Sequence, residues 1–345
     1  MGKQMTSIVD VAKRANVSIA TASRVMSSSS YKVSETTRQR VLQAAQELHY
    51  VPNSLARSLR AQRSNLIAVI VGDNADAYFA EITRGVEEIA NEYGYLTIVC
   101  NTDREPEKEL HYLQILGDYR VDGIIFAGSG LNEVGHPEQV GKVVQAMRER
   151  GAAVVTLAQH TLHVPSVQAD NFGGARAVTT RLLELGHQRI AFITGPSNAL
   201  VANARLQGYM AALVEAGAAI DPALILPGRF DRASGEQAVQ SLLRLSKKQR
   251  PSAIFASNDE TAFGVLSELG SAGWSIPRDI SVCGFGDLPM ARVVVPALTT
   301  VYMGIRELGR IGAYKMLAQL NHEDVEELEI IPTSVIERGT TAKHE

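Results

Sequence analysis

The chain has 345 residues, 45% of them hydrophobic and 21% charged, with a net charge of −3. That length exceeds one ordinary domain, and the balance is that of a globular protein. No apolar run approaches the ~20 residues of a membrane-spanning helix, and the first residues, MGKQMTSIVDVAKRANVS, lack the apolar stretch and small-residue cleavage site of a secretory signal, so a cytoplasmic, nucleoid-associated protein with no membrane partner is expected.

Charge is unevenly placed. Residues 1–63 carry ten Lys/Arg against three acids, a charge of +7, which leaves −10 for the rest. A basic module on an acidic body is the pattern of a phosphate-binding headpiece. Within it, Ile8, Val11, Ala12 and Ala15 recur at i, i+3, i+4 and i+7, predicting one face of a first helix. Asn16-Val17 breaks the pattern. Ser18 then caps a second helix, Ile19 to Met26, with Ala22, Val25 and Met26 inward. Four serines at 27–30 give a loop. Ser34 caps a third helix, whose expected buried stripe is Val41, Leu42, Ala45 and Leu48. Three short helices with a tight turn between the first two predict a helix-turn-helix bundle.

The N-terminal half of the second helix presents Ser18, Ile19, Ala20, Ser23 and Arg24 to a major groove. Ile19 and Ala20 suit thymine methyls, and Arg24 a bidentate contact to guanine. Ser18, Thr21 and Ser23 suit phosphate oxygens. Ile19 reads equally well as a core residue. The following stretch, VPNSLARSLRAQR (51–63), is too short for a stable isolated helix. Its apolar Leu55, Ala56 and Leu59, with Arg57, Arg60 and Arg63 around them, fit a linker that folds on DNA and wedges Leu59 into the minor groove.

From Leu66 apolar runs alternate with amphipathic stretches. The expected strands are 66–71, 95–100, 123–128, 153–158, 166–170, 189–195, 252–257 and 280–285. Helical patterns between most of them predict βαβ units in parallel sheets, with a ligand cleft outside the carboxyl ends of the strands. Cys100 and Cys283 lie in apolar runs and read as buried reduced thiols. No G-x-G-x-x-G follows a strand, and neither GxxxxGK[ST] nor GxSxG occurs. His160 and His163 read as surface residues rather than a metal site. No catalytic residue, metal or cofactor is expected. A solute-binding protein and a nucleotide-dependent enzyme are the competing readings; the basic headpiece argues against the first and the missing phosphate loops against the second.

The segments IVDVAKRANVSIATASRVM, ELHYVPNSLARSL, YFAEITRGVEEIANEYGY, DNFGGARAVTTRLLELGHQRIAFITG, ASNDETAFGVL and IPRDISVCGFGDLPMARVVVPALTTV occur in a familiar order. Through them the sequence resembles the lactose repressor/galactose repressor family of bacterial regulators over nearly its whole length. The resemblance implies an all-α helix-turn-helix headpiece (1–50), a hinge helix or linker (51–64) and a periplasmic-binding-protein-like α/β body of two Rossmann-like parallel-sheet subdomains. These are expected at 65–162 with 290–320, and at 163–289 with 321–345, with crossings near 163–166, 287–293 and 319–327. It implies a repressor of a catabolic operon, acting on double-stranded operator DNA as a homodimer and switched by a small-molecule effector. A further tetramerising helix is not seen after Ile336, so a dimer is expected.

The resemblance also adds Thr6, Tyr31, Ser34, Asn53, Ala56 and Arg57 to the DNA-contacting set. For the effector it points to Tyr78 and Phe79 as stacking aromatics after the first strand, with Asp73 near them, and to Arg205 as the grip on effector oxygens. Phe230, Asn258, Asp170, Ser129 and Asp287 complete that set. One departure is informative. The family usually carries an acid two residues after the glycine of G-[FY]-D-[DN], whereas here the run is Gly284-Phe285-Gly286-Asp287. Gly286 removes a carboxylate that accepts hydroxyls, which favours a ligand with its own negative charge, such as a sugar acid, or a bulkier one. Ala22, where valine is more usual, is a small change in the headpiece core.

Overall fold

A computed structural model describes residues 6–26, 33–50 and 63–344, and the chain divides into two units, Met1–Ser64 and Asn65–Glu345. The first contains α1 (Ile8–Arg14), α2 (Ile19–Met26) and α3 (Glu35–Glu47). A capping box starts α1: the Ser7 N–H donates to the Asp10 carboxylate at 2.9 Å, and the Asp10 N–H donates back to the Ser7 hydroxyl at 3.4 Å. Asn16, at a left-handed φ of 52°, ends the helix and turns the chain into α2. The core is built from small side chains: Val11, Ala12 and Ala15 meet Ala22, Val25, Val41, Ala44 and Ala45. Leu42 departs from expectation, being 45% exposed. The stripe Val41, Ala44, Ala45, Leu48 keeps the i, i+3, i+4, i+7 spacing, and Leu42 sits about 100° off it. The serine run at 27–30 and most of the expected hinge lie outside the described residues.

The second unit is built on two parallel sheets. Five strands, β1 (Leu66–Val71), β2 (Leu96–Asn101), β3 (Gly123–Phe126), β4 (Ala153–Thr156) and β5 (Ser166–Ala169), join the late strand β11 (Leu328–Ile331) in the order β11–β5–β4–β3–β1–β2. The other sheet runs β7 (Ile225–Leu226), β6 (Ile190–Ile193), β8 (Ala253–Ala256), β9 (Ser281–Cys283). Two further strands, β10 (Thr300–Tyr302) and β12 (Ser334–Ile336), pair antiparallel. They extend the second sheet beyond β9, because the Gly284 and Gly286 N–H groups donate to the Thr299 and Val301 carbonyls at 2.9 and 2.8 Å. Central strands such as β1, β3, β6 and β8 are β-branched or aromatic runs buried almost throughout, as a parallel sheet covered on both faces requires.

The covering helices are α4 (Ala77–Glu92), α5 (Pro106–Asp118), α6 (His136–Glu149), α7 (Asn171–Glu184), α8 (Leu200–Glu215), α9 (Arg232–Leu243), α10 (Asp259–Ser271) and α11 (Ile305–Leu320). They pack in pairs, α4 on α11, α7 on α8 and α9 on α10. Glycines set the first of these contacts: a Cβ on Gly85 would run into the Arg306 carbonyl, and one on Gly309 into the Ile82 carbonyl.

Strand pairing moves the subdomain boundaries later in the chain than the sequence reading placed them. Residues 166–169 and 328–331 pair within the first sheet, through contacts such as Val167 with Glu329. Residues 300–302 lie with the second sheet. The crossings therefore fall just after Ala169, just after Tyr302 and between Ile331 and Ser334, rather than near 163–166, 287–293 and 319–327. The expected boundaries came with the family resemblance, whereas the chain changes sheets only after its edge strand has paired.

Candidate functional site

In the headpiece, the Ser18 hydroxyl accepts the Thr21 N–H at 3.1 Å and shares a hydrogen bond with the Thr21 hydroxyl at 2.9 Å. This starts α2 with Ser18, Ile19, Ala20 and Arg24 on its exposed side. Ile19 is 46% exposed, which places it on that face and not in the core. Thr21 and Ser23 are half-buried beside it. The other two described DNA candidates make hydrogen bonds within the headpiece. The Thr6 hydroxyl donates to the Leu48 carbonyl at 3.1 Å, and the Ser34 hydroxyl accepts the Thr37 N–H at 3.4 Å and caps α3. Tyr31, Asn53, Ala56, Arg57 and Leu59 lie outside the described residues.

In the body, a cleft continuous with solvent takes lining from both subdomains. Phe79, Phe126, Leu131 and Leu157 come from the first, and Val201, Phe230, Phe285 and Leu288 from the second. Six of the nine expected effector residues line it: Tyr78, Phe79, Ser129, Arg205, Phe230 and Asn258. Asp73, Asp170 and Asp287 do not. The Asp73 carboxylate accepts the Ala75 N–H at 3.0 Å and lies 3.6 Å from Arg104. Asp170 caps α7 through the Gly173 N–H at 2.7 Å. Asp287, whose side chain is 2% exposed, binds Arg338 at 2.5 Å and Arg292 at 2.9 Å. All three carboxylates thus have protein partners. His160, expected at the surface, is half-buried with its ring 5.1 Å from that of Phe126, and burial holds its pKa down at about 4. His163 is exposed.

Arg205 is the central group. It is 6% exposed, and its guanidinium lies 4.0 Å from the Phe285 ring centre and 5.7 Å from that of Phe230. Its Nε donates to Asn171 Oδ1 at 2.9 Å and Nη1 to the Ser257 carbonyl at 2.5 Å, while Nη2 has only Met303 Sδ at 4.0 Å. Burial lowers its pKa to about 10, so it remains a cation at neutral pH. Burial also lifts the Tyr78 phenol to about 12 and the Asp259 carboxyl to about 6. Phe230 takes a left-handed φ of 66°, which is costly for an aromatic residue. Asn258 holds it there by donating from Nδ2 to the Phe230 carbonyl at 2.9 Å, while its Oδ1 caps α10 through the Thr261 N–H at 3.0 Å. The Phe230 ring also packs against Gly195, where a Cβ would collide with it.

Sequence reasoning passed over Asp76, Arg104, Asn171, Asp259 and Phe285, all of which line the cleft. Asp259 and Phe285 lie within the SND and GFG motifs, so membership of a motif was an available signal. Arg104 sits in NTDRE with nothing local to mark it; only the fold brings it within 3.3 Å of Asp76.

A helix-turn-helix unit joined in one chain to a two-sheet body with a ligand cleft defines a DNA-binding transcriptional regulator and not an enzyme. Residues 7–53 match the bacterial regulatory proteins of the lacI family, and residues 64–338 match the periplasmic binding proteins and sugar binding domain of the LacI family. The chain belongs to the LacI family. It is 32% identical over 322 residues to the HTH-type transcriptional repressor PurR of Aliivibrio fischeri, covering 93% of this chain and 94% of that one. It is 35% identical over 341 residues to the ribose operon repressor of Halalkalibacterium halodurans, covering 98% and 97%. The crystal structure of the lac repressor dimer bound to operator and the anti-inducer ONPF superposes with a TM-score of 0.84 at 27% identity, covering 98% of this chain and all of that one.

Proposed function

We propose that this regulator acts as a cytoplasmic homodimer that represses transcription from a pseudo-palindromic operator and releases or tightens its hold when a small molecule enters the cleft. The observation that carries the reading is a single cleft lined from both subdomains, with a buried cation at its centre. A ligand touching both walls binds one relative setting of the subdomains better than another, and that differential affinity is what shifts the equilibrium. In this reading Tyr78, Phe79, Arg205 and Phe230 touch the effector, while Ser129 and Asn258 hold the walls. Ser18, Ile19, Ala20 and Arg24 read the operator, with the hinge at 51–64 coupling the two events.

Support for a second copy comes from the segment after Asp287, where Met290, Val293 and Val295 are 47, 70 and 96% exposed. Three large exposed apolar side chains so close together in sequence support the reading of an association surface there. No helix among the described residues is long and apolar enough to cross a membrane. The test is operator selection with the intact chain, followed by fluorescence anisotropy with and without a metabolite panel. A site with dyad symmetry and a metabolite-dependent affinity is expected. Binding that shows no sequence preference over random DNA would reject the regulator reading.

A further inference from the structure

Most polar groups lining the cleft already have protein partners. Ser129 donates to the Gly130 carbonyl at 3.1 Å and accepts the Val201 N–H at 3.2 Å. Thr102 donates to the Val71 carbonyl at 3.0 Å and accepts the Arg104 N–H at 3.3 Å. Asn258 is occupied at both ends, as described above. Asn171 accepts from Arg205 and donates to the Ala169 carbonyl at 3.1 Å. The Asp259 carboxylate accepts the Thr300 hydroxyl at 2.5 Å and the Leu288 N–H at 2.7 Å. Asp76 accepts the Tyr78 N–H at 2.9 Å and pairs with Arg104 at 3.3 Å. Glu109 and Asn198 each keep one acceptor oxygen after binding His136 and Glu133. Among the lining side chains, the Tyr78 hydroxyl has no hydrogen-bond partner among the described residues and Arg205 Nη2 has the Met303 sulfur, while Asn171, Asn198 and Asn258 each keep one further amide hydrogen and Arg104 keeps N–H groups beyond its contacts with Asp73 and Asp76.

A monosaccharide brings several hydroxyls, each costly if buried without a partner. This cleft offers few partners and many aromatic and aliphatic surfaces. Its buried cation also lacks a counter-charge in contact, since no carboxylate among the described residues lies within ion-pair distance of Arg205. Buried charges are normally paired. Gly286 sharpens the point. It lines the cleft at a φ of 141°, and a Cβ there would lie 3.4 Å from Asp259 Oδ2. An acid at 286 would thus set a second carboxylate beside the first, and the chain has none.

We infer that the effector is a compact carboxylate on a largely apolar body, its anionic end held by Arg205 Nη2 and the Tyr78 hydroxyl and its body packed between Phe79, Phe230 and Phe285. This rests on the reading of the cleft as the effector site. The probes are hexanoate, benzoate and phenylacetate, their neutral amides, and D-ribose and D-glucose, titrated calorimetrically into the full-length protein. At least one acid is expected to bind tenfold or more tighter than its amide, with no saturable binding of either sugar at millimolar concentration. For that acid, Tyr78→Phe should weaken binding by about tenfold and Arg205→Lys by more, since the lysine loses both the planar fork and the stacking. Thermal unfolding verifies that each variant is folded, and the tyrosine variant alone decides the matter if the arginine variant is not. A sugar binding more tightly than every acid, an amide equalling its acid, or no acid binding at all would overturn the inference. The same titration repeated with operator present separates the two readings. An acid that binds with this selectivity but leaves operator affinity unchanged supports the cleft chemistry and contradicts the switch.

Discussion

Asp287 is the sharpest place to separate a strut from a ligand contact. Its carboxylate is 2% exposed and joins Arg338, whose side chain is 14% exposed, to Arg292, which is 65% exposed. Asp287→Asn keeps the left-handed φ of 54°, which asparagine tolerates, and nearly the same shape. What it removes is the charge opposite Arg338. The Arg338 Nη1 bond to the Leu298 carbonyl at 2.8 Å survives, and an amide oxygen still accepts one bond. The loss is therefore less than that of a fully orphaned buried ion, about 2–3 kcal/mol. For a domain of this size that corresponds to roughly 4–6 °C in Tm. Arg292→Ala, at the solvated end, should leave Tm unchanged. Urea unfolding of the intact protein measures the first effect as a lower midpoint at constant slope. An Asp287→Asn protein as stable as the parent but weaker for its effector would refute the strut and restore the carboxylate as a ligand group.

The remaining predictions address packing, titration and DNA. Gly309→Ala pushes a methyl into the Ile82 carbonyl where α4 and α11 touch and should cost about 1–3 kcal/mol, measured by the same unfolding curves; a neutral result would mean the helices can slide apart. Asp259 titrates near 6 in the folded protein, above its unfolded value of 3.8, because burial disfavours its charge. Its raised pKa stabilises the fold below about pH 4, and that contribution disappears as pH rises through about 6. Across that window the stability of Asp259→Asn relative to the parent should shift by roughly 2–3 kcal/mol in the variant's favour, on top of a pH-independent cost for the bond lost to Thr300 or Leu288; a pH-independent difference would contradict the raised pKa. Arg24→Ala should lose about 1–3 kcal/mol of specific operator binding, with non-specific binding little changed in competition anisotropy. Full sequence discrimination by that variant would remove Arg24 from the recognition face.

Eight strands were legible because fully covered parallel strands need unbroken β-branched and aromatic runs, and such runs stand out against amphipathic helices. The strands passed over are β7, β10, β11 and β12, two to four residues long. Their pairing is set by partners far along the chain, and β11 exposes Leu328 and Ile330 at the sheet edge, so local texture carries little trace of them. Tyr78, Phe79, Arg205 and Phe230 were readable through the family resemblance, whereas Arg104 and Phe285 were not. Its carboxylates were not: an aspartate that caps a helix, as Asp170 does, has the same letter as one that faces a ligand. Leu42 was a simpler error of phase on a helix whose spacing was otherwise right.

The three crossings carry a consequence for synthesis. Neither half of the body is a continuous stretch of chain: the first sheet waits for β11 as its last strand, and the second waits for β12. A ribosome that has released the first three hundred residues, headpiece included, has still completed neither half. The open edges of both, β5 in one and β10 in the other, wait for β11 and β12 and then close nearly together. The headpiece, whose helices are all encoded in the first fifty residues, is under no such delay. The part expected to hold DNA is ready long before the part expected to sense, and regulated behaviour begins only with the final strands.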